Sequence, residues 1–400
     1  MGRARGLIGL AAALLLAGCG GDSGTSGSAT ATSTTPTPAP TIASSTPTSV
    51  STLTTLDFDH VANYSSPTLP AYYDSTVTAL DNVPASNPQN DKIATLGRVL
   101  FYDKQLSINA KVSCASCHQQ ALGFSDSQRF STGFSGTAFT SAHAPGLGNV
   151  RYWQPGTMFW DRRAASLELQ ASGPITNPVE MGWDSTAGGI AALITRLQAL
   201  PYYQDLFTWA FGSATITETK MQQALANFQR AMISSNSRWD QGYALNFDPA
   251  QPGRGLGQVI PSFTAQEDRG RQLFVLGRGN GGAGCASCHQ PPTFALAANS
   301  RSNGLDAGAT TVFKSPSLKN VGLRTQFMHD GRFSTLAEVV EFYSTGVQAG
   351  PSLDGRLKNP DNSPALLNLS AADKAALVAF MQTLTDTTFT SDPRFSNPFK

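Results

Sequence analysis

Two short segments of the sequence combine cysteine and histidine at a spacing that suits covalent haem attachment. Both read Cys-Ala-Ser-Cys-His, at residues 114–118 and 285–289. Two thiols separated by two residues reach the two vinyl groups of a haem, and the adjacent imidazole turns under the ring to ligate the iron. We therefore expect two covalently attached c-type haems, held by Cys114, Cys117, Cys285 and Cys288 and ligated by His118 and His289.

Two other uses of these cysteines have to be weighed. A disulfide within each pair is one, but disulfides at this spacing are usually redox-active and accompany a βαβ pattern that this sequence lacks. A single four-cysteine zinc site is the other, and it would leave the histidine after each pair unexplained. Haem attachment accounts for all six residues.

The sequence around the two segments is repeated. Gly-Arg-Val-Leu-Phe at 97–101 precedes the first segment, and Gly-Arg-Gln-Leu-Phe at 270–274 precedes the second. Apolar residues at helical spacing predict a short helix before each haem turn, and further helices over 190–197, after Thr217 and after Ser370. No run of alternating strands is evident. The predicted fold is mainly α, with two cytochrome c-like haem domains in tandem, 56–255 and 256–400, and long loops.

Composition excludes several functions. The 28 Lys and Arg residues almost balance 27 Asp and Glu, which gives a formal net charge of +1 in a chain of 400 residues. Non-specific binding to nucleic acid, or to a membrane through a polybasic patch, would need an excess of Lys and Arg over Asp and Glu. We therefore expect no nucleic-acid partner. The 37 Gly and 24 Pro residues predict many turns between short helices.

The N-terminus has the pattern of an exported protein. Residues 1–18 join a basic start to an apolar run from Leu7 to Ala17, which is too short to span a bilayer comfortably. The run ends in Leu-Ala-Gly-Cys, which resembles the lipobox of bacterial lipoproteins and implies cleavage before Cys19 with a lipid on its thiol. Cys19 would then be a lipid anchor.

The segment from 19 to 55 is predicted to be a disordered tether. Ser and Thr make up 20 of the 36 residues from 20 to 55, so too little apolar area is available to offset the cost of ordering. Gly20 stands where lipoproteins of the inner membrane typically carry Asp. We therefore expect a periplasmic protein of a Gram-negative bacterium, attached to the outer membrane through its lipid alone.

The second axial ligand of each iron decides what each haem does. A six-coordinate haem passes electrons, whereas an open haem can bind peroxide. Thr335 and Glu338 form a capping box that predicts a helix, and Tyr343 falls on its apolar face. By spacing alone, Tyr343 is a buried tyrosine with a satisfied hydroxyl.

From Leu96 to about Gly346 the sequence resembles the bacterial diheme cytochrome c peroxidases and their MauG-type relatives. The matching segments are LGRVLFYD at 96–103, FWDRRAASLE at 159–168, GPITNPVEMG at 173–182, SPSLKNV at 315–321 and MHDGRF at 328–333. The resemblance implies reduction of hydrogen peroxide at the N-terminal haem. The C-terminal haem would store or relay the second oxidising equivalent.

The resemblance also implies a ligand for the C-terminal haem. Peroxidases place a Met fourteen residues after the His of the His-Asp-Gly motif, and MauG-type enzymes place a Tyr there. Counting from His329 leads to Tyr343, with Met328 as the alternative ligand. A phenolate stabilises high oxidation states of iron and lowers its potential, whereas Met raises the potential.

Three more residues acquire roles from the resemblance. Gln170 and Glu180 stand ten and twenty residues after Trp160, where MauG-type enzymes carry distal Gln and Glu residues. Glu180 would move a proton between the two peroxide oxygens, and Gln170 would orient peroxide or water. Trp160 would carry electrons between the haems. Without the resemblance, these would be two surface residues and a core tryptophan.

The sequence departs from the family at several positions. The loop after the first haem segment, 119–152, holds only His143, near its end, so we expect a haem that is open without prior reduction. We interpret His143 as a hydrogen-bonding residue at the surface or between domains, and His60 as solvated. His143 and Arg324 replace the Asn and Thr of the family's calcium site, and a cation at Arg324 argues against calcium. Arg162 replaces a Gly beside Trp160.

Three functions remain open from the sequence. The first is MauG-like oxidation of a protein or aromatic substrate through Trp160. The second is a conventional cytochrome c peroxidase that takes electrons from a small redox protein. The third is a diheme electron carrier without enzyme activity, which would need both irons to be six-coordinate. Gln170 and Glu180 speak against the carrier.

Overall fold

The computed structural model describes residues 47–400. The predicted signal peptide, Cys19 and most of the predicted tether lie outside these residues. The α-helices of the described part are α1 (Thr48–Ser51), α2 (Ser75–Thr78), α3 (Asp91–Tyr102), α4 (Cys114–Cys117), α5 (Leu167–Thr176), α6 (Gly189–Gln198), α7 (Pro201–Phe211), α8 (Glu218–Arg230), α9 (Arg238–Asn246), α10 (Ala265–Val275), α11 (Leu336–Glu341), α12 (Ala371–Gln382) and α13 (Thr387–Ser391).

Irregular connections separate these helices. Strands β1 (His289–Gln290) and β2 (Ala295–Leu296) form an antiparallel pair, the one sheet within residues 47–400. The segment Phe342–Gly346 is a π-helical turn. Short 3₁₀ turns occupy Lys104–Leu106, Gln120–Leu122, Val150–Tyr152, Ser185–Ala187, Pro252–Gly255, Arg278–Asn280, Cys285–Ser287, Val321–Leu323, Gly355–Leu357 and Pro393–Phe395. The prediction of a mainly helical protein with long loops is confirmed.

Side-chain caps start the principal helices where the sequence predicts them. The Thr217 hydroxyl accepts a hydrogen bond from the Lys220 amide at the start of α8, and Ser370 caps α12 in the same way. Thr264 and Glu267 form a capping box at α10. The helix after Ser370 is not the last one, because α13 follows it. No helix in residues 47–400 has the length and apolar character needed to cross a membrane.

Each repeated Gly-Arg-x-Leu-Phe segment lies where two helices cross at close range. A Cβ atom on Gly97 in α3 would lie 1.9 Å from the carbonyl oxygen of Ala224 in α8. A Cβ on Gly270 in α10 would lie 1.9 Å from the carbonyl oxygen of Ala376 in α12. Only glycine allows the backbones to approach so closely. The duplicated sequence therefore produces the same helix pair twice, once before each haem segment.

Two cores form around these helix pairs, and each contains chain from the other half. Phe389 and Phe395, near the C-terminus, are buried in the core around α3 and α8. Tyr72, Trp239 and Tyr243 are buried in the core around α10 and α12. The cores therefore do not divide at residue 256 as the predicted domains do. Apolar residues far apart in sequence complete each core, and local patterns cannot show this.

A buried polar network joins segments of the predicted N-terminal domain to the second core. The hydroxyl of Tyr72 donates to Asp240 over 2.8 Å, and the ammonium of Lys319 pairs with the same carboxylate. Lys319 and Asp240 are 0 and 1% exposed at their side chains. Breaking one partner would leave a buried charge uncompensated. The network therefore ties α9 and the segment before α2 to the loop that contains Lys319.

The folded region begins before the predicted end of the tether at residue 55. Val50 in α1 is fully buried in the first core. Thr54 pairs with Phe399 in an isolated bridge, and the Lys400 amide donates to the Leu53 carbonyl over 3.0 Å. The Ser and Thr content predicts disorder for the segment as a whole. Its last residues are nevertheless ordered, because Val50 is buried and the chain pairs with the C-terminus.

We predict that Gly270→Ala destabilises the haem-loaded protein by about 1–3 kcal/mol or more, because α10 and α12 must separate to admit the methyl group. Chemical denaturation followed by circular dichroism measures this loss. Gly257→Ala is the matched control, since a Cβ on the exposed Gly257 meets nothing within 4 Å. Equal free energies of unfolding for the two variants would contradict the close crossing.

Candidate haem sites

The first haem segment forms α4, and His118 follows it directly. The Ser113 amide donates to the Ser116 hydroxyl over 3.0 Å at the start of α4. Nδ1 of His118 donates to the carbonyl oxygen of Phe124 over 2.9 Å. This bond leaves Nε2 free for iron and increases the basicity of the imidazole. Burial lowers the pKa of His118, so the ring is neutral, which is the form that binds a metal.

The cysteines are arranged as two separate pairs. Cys114 packs against the first core and Cys285 against the second, and all four described cysteines are free thiols. Burial raises the pKa of Cys114 to about 12 and that of Cys117 to about 11. Within residues 47–400, no group of three or more Cys, His, Asp or Glu residues is placed to hold a metal ion. The two pairs thus lie in separate cores and are not placed for one four-cysteine zinc site, and no disulfide joins the described cysteines.

The second haem segment opens on a large cavity. Cys285 lies in a 3₁₀ turn and His289 begins β1, and both face a cavity of about 540 Å³. This volume is within the range of cofactor pockets, and apolar side chains suit the macrocycle. Residues that line the cavity include Cys285, Cys288, His289, Leu336, Val340, Tyr343 and Leu377. The residues present therefore fit a covalently attached haem.

The two candidate ligands of the C-terminal haem lie together at this cavity. The helix predicted at Thr335 is present as α11, and Tyr343 lies in the π-helical turn that continues it. Nδ2 of Asn303 is 3.5 Å from the Tyr343 hydroxyl and 3.7 Å from the Met328 sulfur. The cavity thus brings His289, Tyr343 and Met328 to one site. Nothing in the sequence signals Asn303, because its role depends on a fold that brings residues 303 and 343 together.

The state of Tyr343 depends on its surroundings. Burial raises the pKa of Tyr343 to about 12, while the hydrogen bond from Asn303 favours the phenolate. The phenol therefore keeps its proton unless a cation lies next to it. The iron of a bound ferric haem would supply such a cation, and the amide of Asn303 would then donate to the phenolate of Tyr343. Neutral Met328 offers no such charge compensation.

Glu180 lies beside the first haem segment. Its amide donates to the Asn177 side chain over 3.1 Å, and its carbonyl accepts from the Phe134 amide over 3.0 Å. Burial of the thiols is the main cause of the raised pKa of Cys114 and Cys117, and the negative charge of Glu180 adds to it. The carboxylate is therefore within electrostatic reach of the two thiols. Burial also raises the pKa of Glu180 itself. A carboxyl with a raised pKa holds a proton more readily than an ordinary glutamate and can pass it on.

Gln170 lies on α5, a helix anchored by a buried ion pair. The Arg230 guanidinium donates to Glu168 over 2.5 and 3.0 Å, and Asn87 donates to the same carboxylate over 2.8 Å. Arg230 is 1% exposed, so this pair fixes the helix against α8. Gln170 itself is partly buried two residues beyond Glu168. Its predicted role beside peroxide stays a prediction.

Trp160 lines the cavity at the second haem segment, and it also contacts the loop that contains His143. Its indole Nε1 donates to the carbonyl of His143 over 2.7 Å. Its ring lies 6.4 Å from that of His329, which in turn stacks on Phe313 at 3.8 Å. Ser125, next to the Phe124 that holds His118, contacts His143 over 3.2 Å. Trp160 therefore contacts the cavity at the second haem segment and, through His143 and Ser125, the loop that holds His118. Its role as an electron relay stays a prediction.

His143 is buried, not at the surface. It is 3% exposed, and its ring nitrogens contact the Gln128 carbonyl over 3.1 Å and the Ser125 hydroxyl over 3.2 Å. Its amide donates to the His329 carbonyl over 2.9 Å, which matches a residue that joins the two halves. His60 is solvated as predicted, with a side chain 87% exposed.

The position opposite His143 is taken by a buried guanidinium. Arg324 donates to the Ser317 carbonyl over 2.6 Å and to that of Lys319 over 3.3 Å. The carbonyl oxygens that could serve a hard cation are thus already bound to a cationic side chain. The absence of calcium stays a prediction, and this arrangement is its physical reason.

The two proximal histidines differ in a contact that their shared motif does not reveal. Nδ1 of His289 is buried and has no hydrogen-bond partner among the described residues. The corresponding carbonyl, that of Phe294, accepts instead from the Leu318 amide over 3.2 Å. The hydrogen bond to Phe124 would therefore make His118 the more basic ligand of the two.

Comparison with known proteins gives consistent results. A family model described as di-haem cytochrome c peroxidase matches residues 91–246 and 265–387. The methylamine utilization protein MauG of Methylorubrum extorquens is 34% identical over 317 residues, which cover 75% of this chain and 80% of that protein. The cytochrome c551 peroxidase of Nitrosomonas europaea is 29% identical, over 65% of this chain and 75% of its own length.

Solved structures agree. The crystal structure of a MauG-like protein associated with microbial copper homeostasis is 32% identical with a TM-score of 0.66, and covers 83% of this chain and 99% of its own. The diheme peroxidase BthA of Burkholderia thailandensis shares the fold at 22% identity, with a TM-score of 0.58 over 78% of this chain and 91% of its own.

We predict that Tyr343→Phe changes the ferric optical and electron paramagnetic resonance spectra of the C-terminal haem from low-spin to high-spin, because the variant lacks the oxygen that would bind iron. Tyr243→Phe is the control, since that buried hydroxyl donates to the Arg254 carbonyl over 3.1 Å, away from the cavity lining. An unchanged spectrum in Tyr343→Phe, with a changed one in Met328→Leu, would assign the ligand to Met328 instead.

Proposed function

The chain belongs to the di-haem cytochrome c peroxidase family, and we propose that it reduces hydrogen peroxide at the N-terminal haem with electrons taken from a protein or aromatic substrate through the C-terminal haem. As a member of this family it is an oxidoreductase that uses peroxide. The observation that carries the proposal is the difference between the two sites: Glu180, a partly buried carboxyl with a raised pKa, lies beside the first, and Tyr343, a partly buried phenol that lines the cavity, lies at the second.

Reduction of one hydrogen peroxide to two waters takes two electrons and two protons. When bound, the haem irons supply the electron-transfer chemistry that amino-acid side chains lack. The protein must then deliver protons at one site, hold charge at the other, and provide a route between them. The following residues serve these needs.

Glu180 is the proton carrier in this proposal. Its raised pKa lets the carboxylate take a proton from one oxygen of peroxide and return it to the oxygen that leaves as water. Arg163, whose charge lowers the pKa of Glu180, limits the shift caused by burial. Gln170 would orient peroxide or water from α5, which the Glu168 and Arg230 ion pair holds in place.

Tyr343 and Trp160 serve the second oxidising equivalent. A phenolate from Tyr343, with the amide of Asn303 donating to it, offsets positive charge at the second site and lowers the potential there. Trp160 contacts the second cavity and the His143 carbonyl of the intervening loop, so it offers a relay between the haems. Together they favour oxidation of a substrate at a distance from peroxide.

The identity of the reductant is the point on which relatives differ. The similarity to MauG and to the MauG-like protein associated with microbial copper homeostasis supports MauG-like oxidation of a protein or aromatic substrate. The cytochrome c551 peroxidase supports a small redox protein as donor. We favour the first because Tyr343 stands where a conventional peroxidase would place Met. We also propose that the enzyme works in the periplasm, tethered to the outer membrane by a lipid on Cys19.

We predict that Glu180→Gln slows the peroxide reaction by about 10²-fold or more, because the amide cannot accept the proton. Stopped-flow absorbance after mixing with peroxide measures the rate. In the wild type the rate should fall as the pH drops through the raised pKa of Glu180, and the variant should lose this dependence.

Glu267→Gln serves as the control for this experiment. Glu267 pairs with Arg238 over 2.7 Å at the start of α10, away from the first haem segment. Its replacement should leave the peroxide rate and its pH profile unchanged. A wild-type rate in Glu180→Gln would reject Glu180 as the proton carrier.

A further inference from the structure

A buried cation in the wall of the C-terminal haem cavity lacks an acidic partner. Arg324 lines the cavity, and its side chain makes no ion pair with a carboxylate of residues 47–400. One NH2 group donates to two backbone carbonyls, whereas the buried Nε has no hydrogen-bond partner in the part of the chain that the structure describes. Burying a charged group without a counter-ion is costly. Arg324 therefore has a positive charge and a donor still to be satisfied.

The other arginines of the cavity do not share this situation. Arg356 forms an ion pair with Asp354 over 2.7 Å. Arg278 and Arg301 are exposed to solvent. Arg324 alone among these four cavity arginines combines burial with the absence of a carboxylate among the described residues.

A covalently bound haem brings the missing anion. The macrocycle carries two propionate carboxylates at the edge remote from the vinyl groups, and Cys285 and Cys288 fix the vinyl edge. We propose that the guanidinium of Arg324 binds a propionate carboxylate of the C-terminal haem. A carboxylate is the anion whose geometry matches a guanidinium, and a charge-assisted bond would satisfy both buried groups.

This contact would orient the haem toward the other half of the molecule. A Cβ atom on Gly146 would lie 2.8 Å from an NH2 group of Arg324, so the guanidinium packs directly on the loop that begins at His143. His143 in turn accepts the indole hydrogen bond of Trp160. Arg324 thus acts as a positioning residue, which holds the propionate edge next to the loop that contacts the electron relay.

The charged neighbours of Arg324 support this assignment. Burial is the main cause of the lowered pKa of both His289 and His143. The positive charge of Arg324 lowers each of these two pKa values further. Lys319, whose carbonyl contacts Arg324, has its own acidic partner in Asp240. Both imidazoles and Lys319 are bases, and none of them offers Arg324 a negative charge.

The reduction potential of the C-terminal haem tests the proposal. Arg324→Gln removes a positive charge that disfavours the ferric state, so the potential should fall. We expect the ferric-to-ferrous equilibrium constant to change at least tenfold, or about 59 mV for this one-electron couple. The difference from the wild type should shrink at low pH, where the unpaired propionate takes up a proton. Spectroelectrochemistry from about pH 5.5 to 8.5 measures both effects.

Two further variants serve as controls. Arg324→Lys keeps the charge and should stay close to the wild-type potential. Arg269→Gln removes an exposed arginine of α10 that pairs with Asp373 and does not line the cavity, so it should change neither the potential nor its pH profile. A wild-type potential and pH profile in Arg324→Gln would overturn the proposal.

A crystal structure of the haem-loaded wild-type protein provides a test that does not depend on any variant. A propionate oxygen is expected within hydrogen-bond distance, about 3 Å, of the Arg324 guanidinium. A propionate directed elsewhere would refute the contact even if Arg324→Gln failed to fold. Neither experiment uses peroxide, so a failure of the proposed enzymatic function would show separately.

Discussion

The close crossing of two helices at a glycine is the constraint on which both haem sites depend. Gly97 lets α3 touch the backbone of α8, and Gly270 lets α10 touch that of α12. Phe101 and Phe274, one turn beyond each glycine, fill the cores beneath the haem segments. Because the same crossing sets the start of both segments, the two Cys-Ala-Ser-Cys-His turns present thiols and imidazole to one side of an equivalent helix pair.

On this shared framework, the loops make the two sites different. The His118 imidazole donates to the Phe124 carbonyl, whereas the corresponding Phe294 carbonyl is taken by Leu318. Glu180 brings a partly buried acid to the first site, and Tyr343 brings a phenol to the second. In the proposed function, these differences would favour electron donation and proton transfer at one iron and charge compensation at the other. Division of labour between two copies of one module follows from contacts outside the copied residues.

The sequence reveals what depends on local pattern and misses what depends on distant contacts. Spacing alone predicts both haem segments, the duplicated helix and the capping box at Thr335, and all of these are present. The packing of Phe389 in the first core cannot be read in this way, because Phe124, whose ring it contacts, lies 265 residues away in sequence. Asn303 beside Tyr343 is hidden for the same reason. The burial of Val50 is missed because the Ser- and Thr-rich composition of residues 19–55 describes the segment as a whole and hides one apolar residue that enters the core.

The central claim, that the N-terminal haem is open to peroxide while the C-terminal haem is ligated on both faces, has a direct test. We would record the ferric electron paramagnetic resonance and optical spectra of the mature protein before and after one equivalent of peroxide. The account predicts one high-spin and one low-spin signal, and the loss of both after peroxide without prior reduction. Two low-spin signals that do not respond to peroxide would contradict it and leave an electron carrier. A high-spin signal that appears only after half-reduction would indicate a conventional peroxidase.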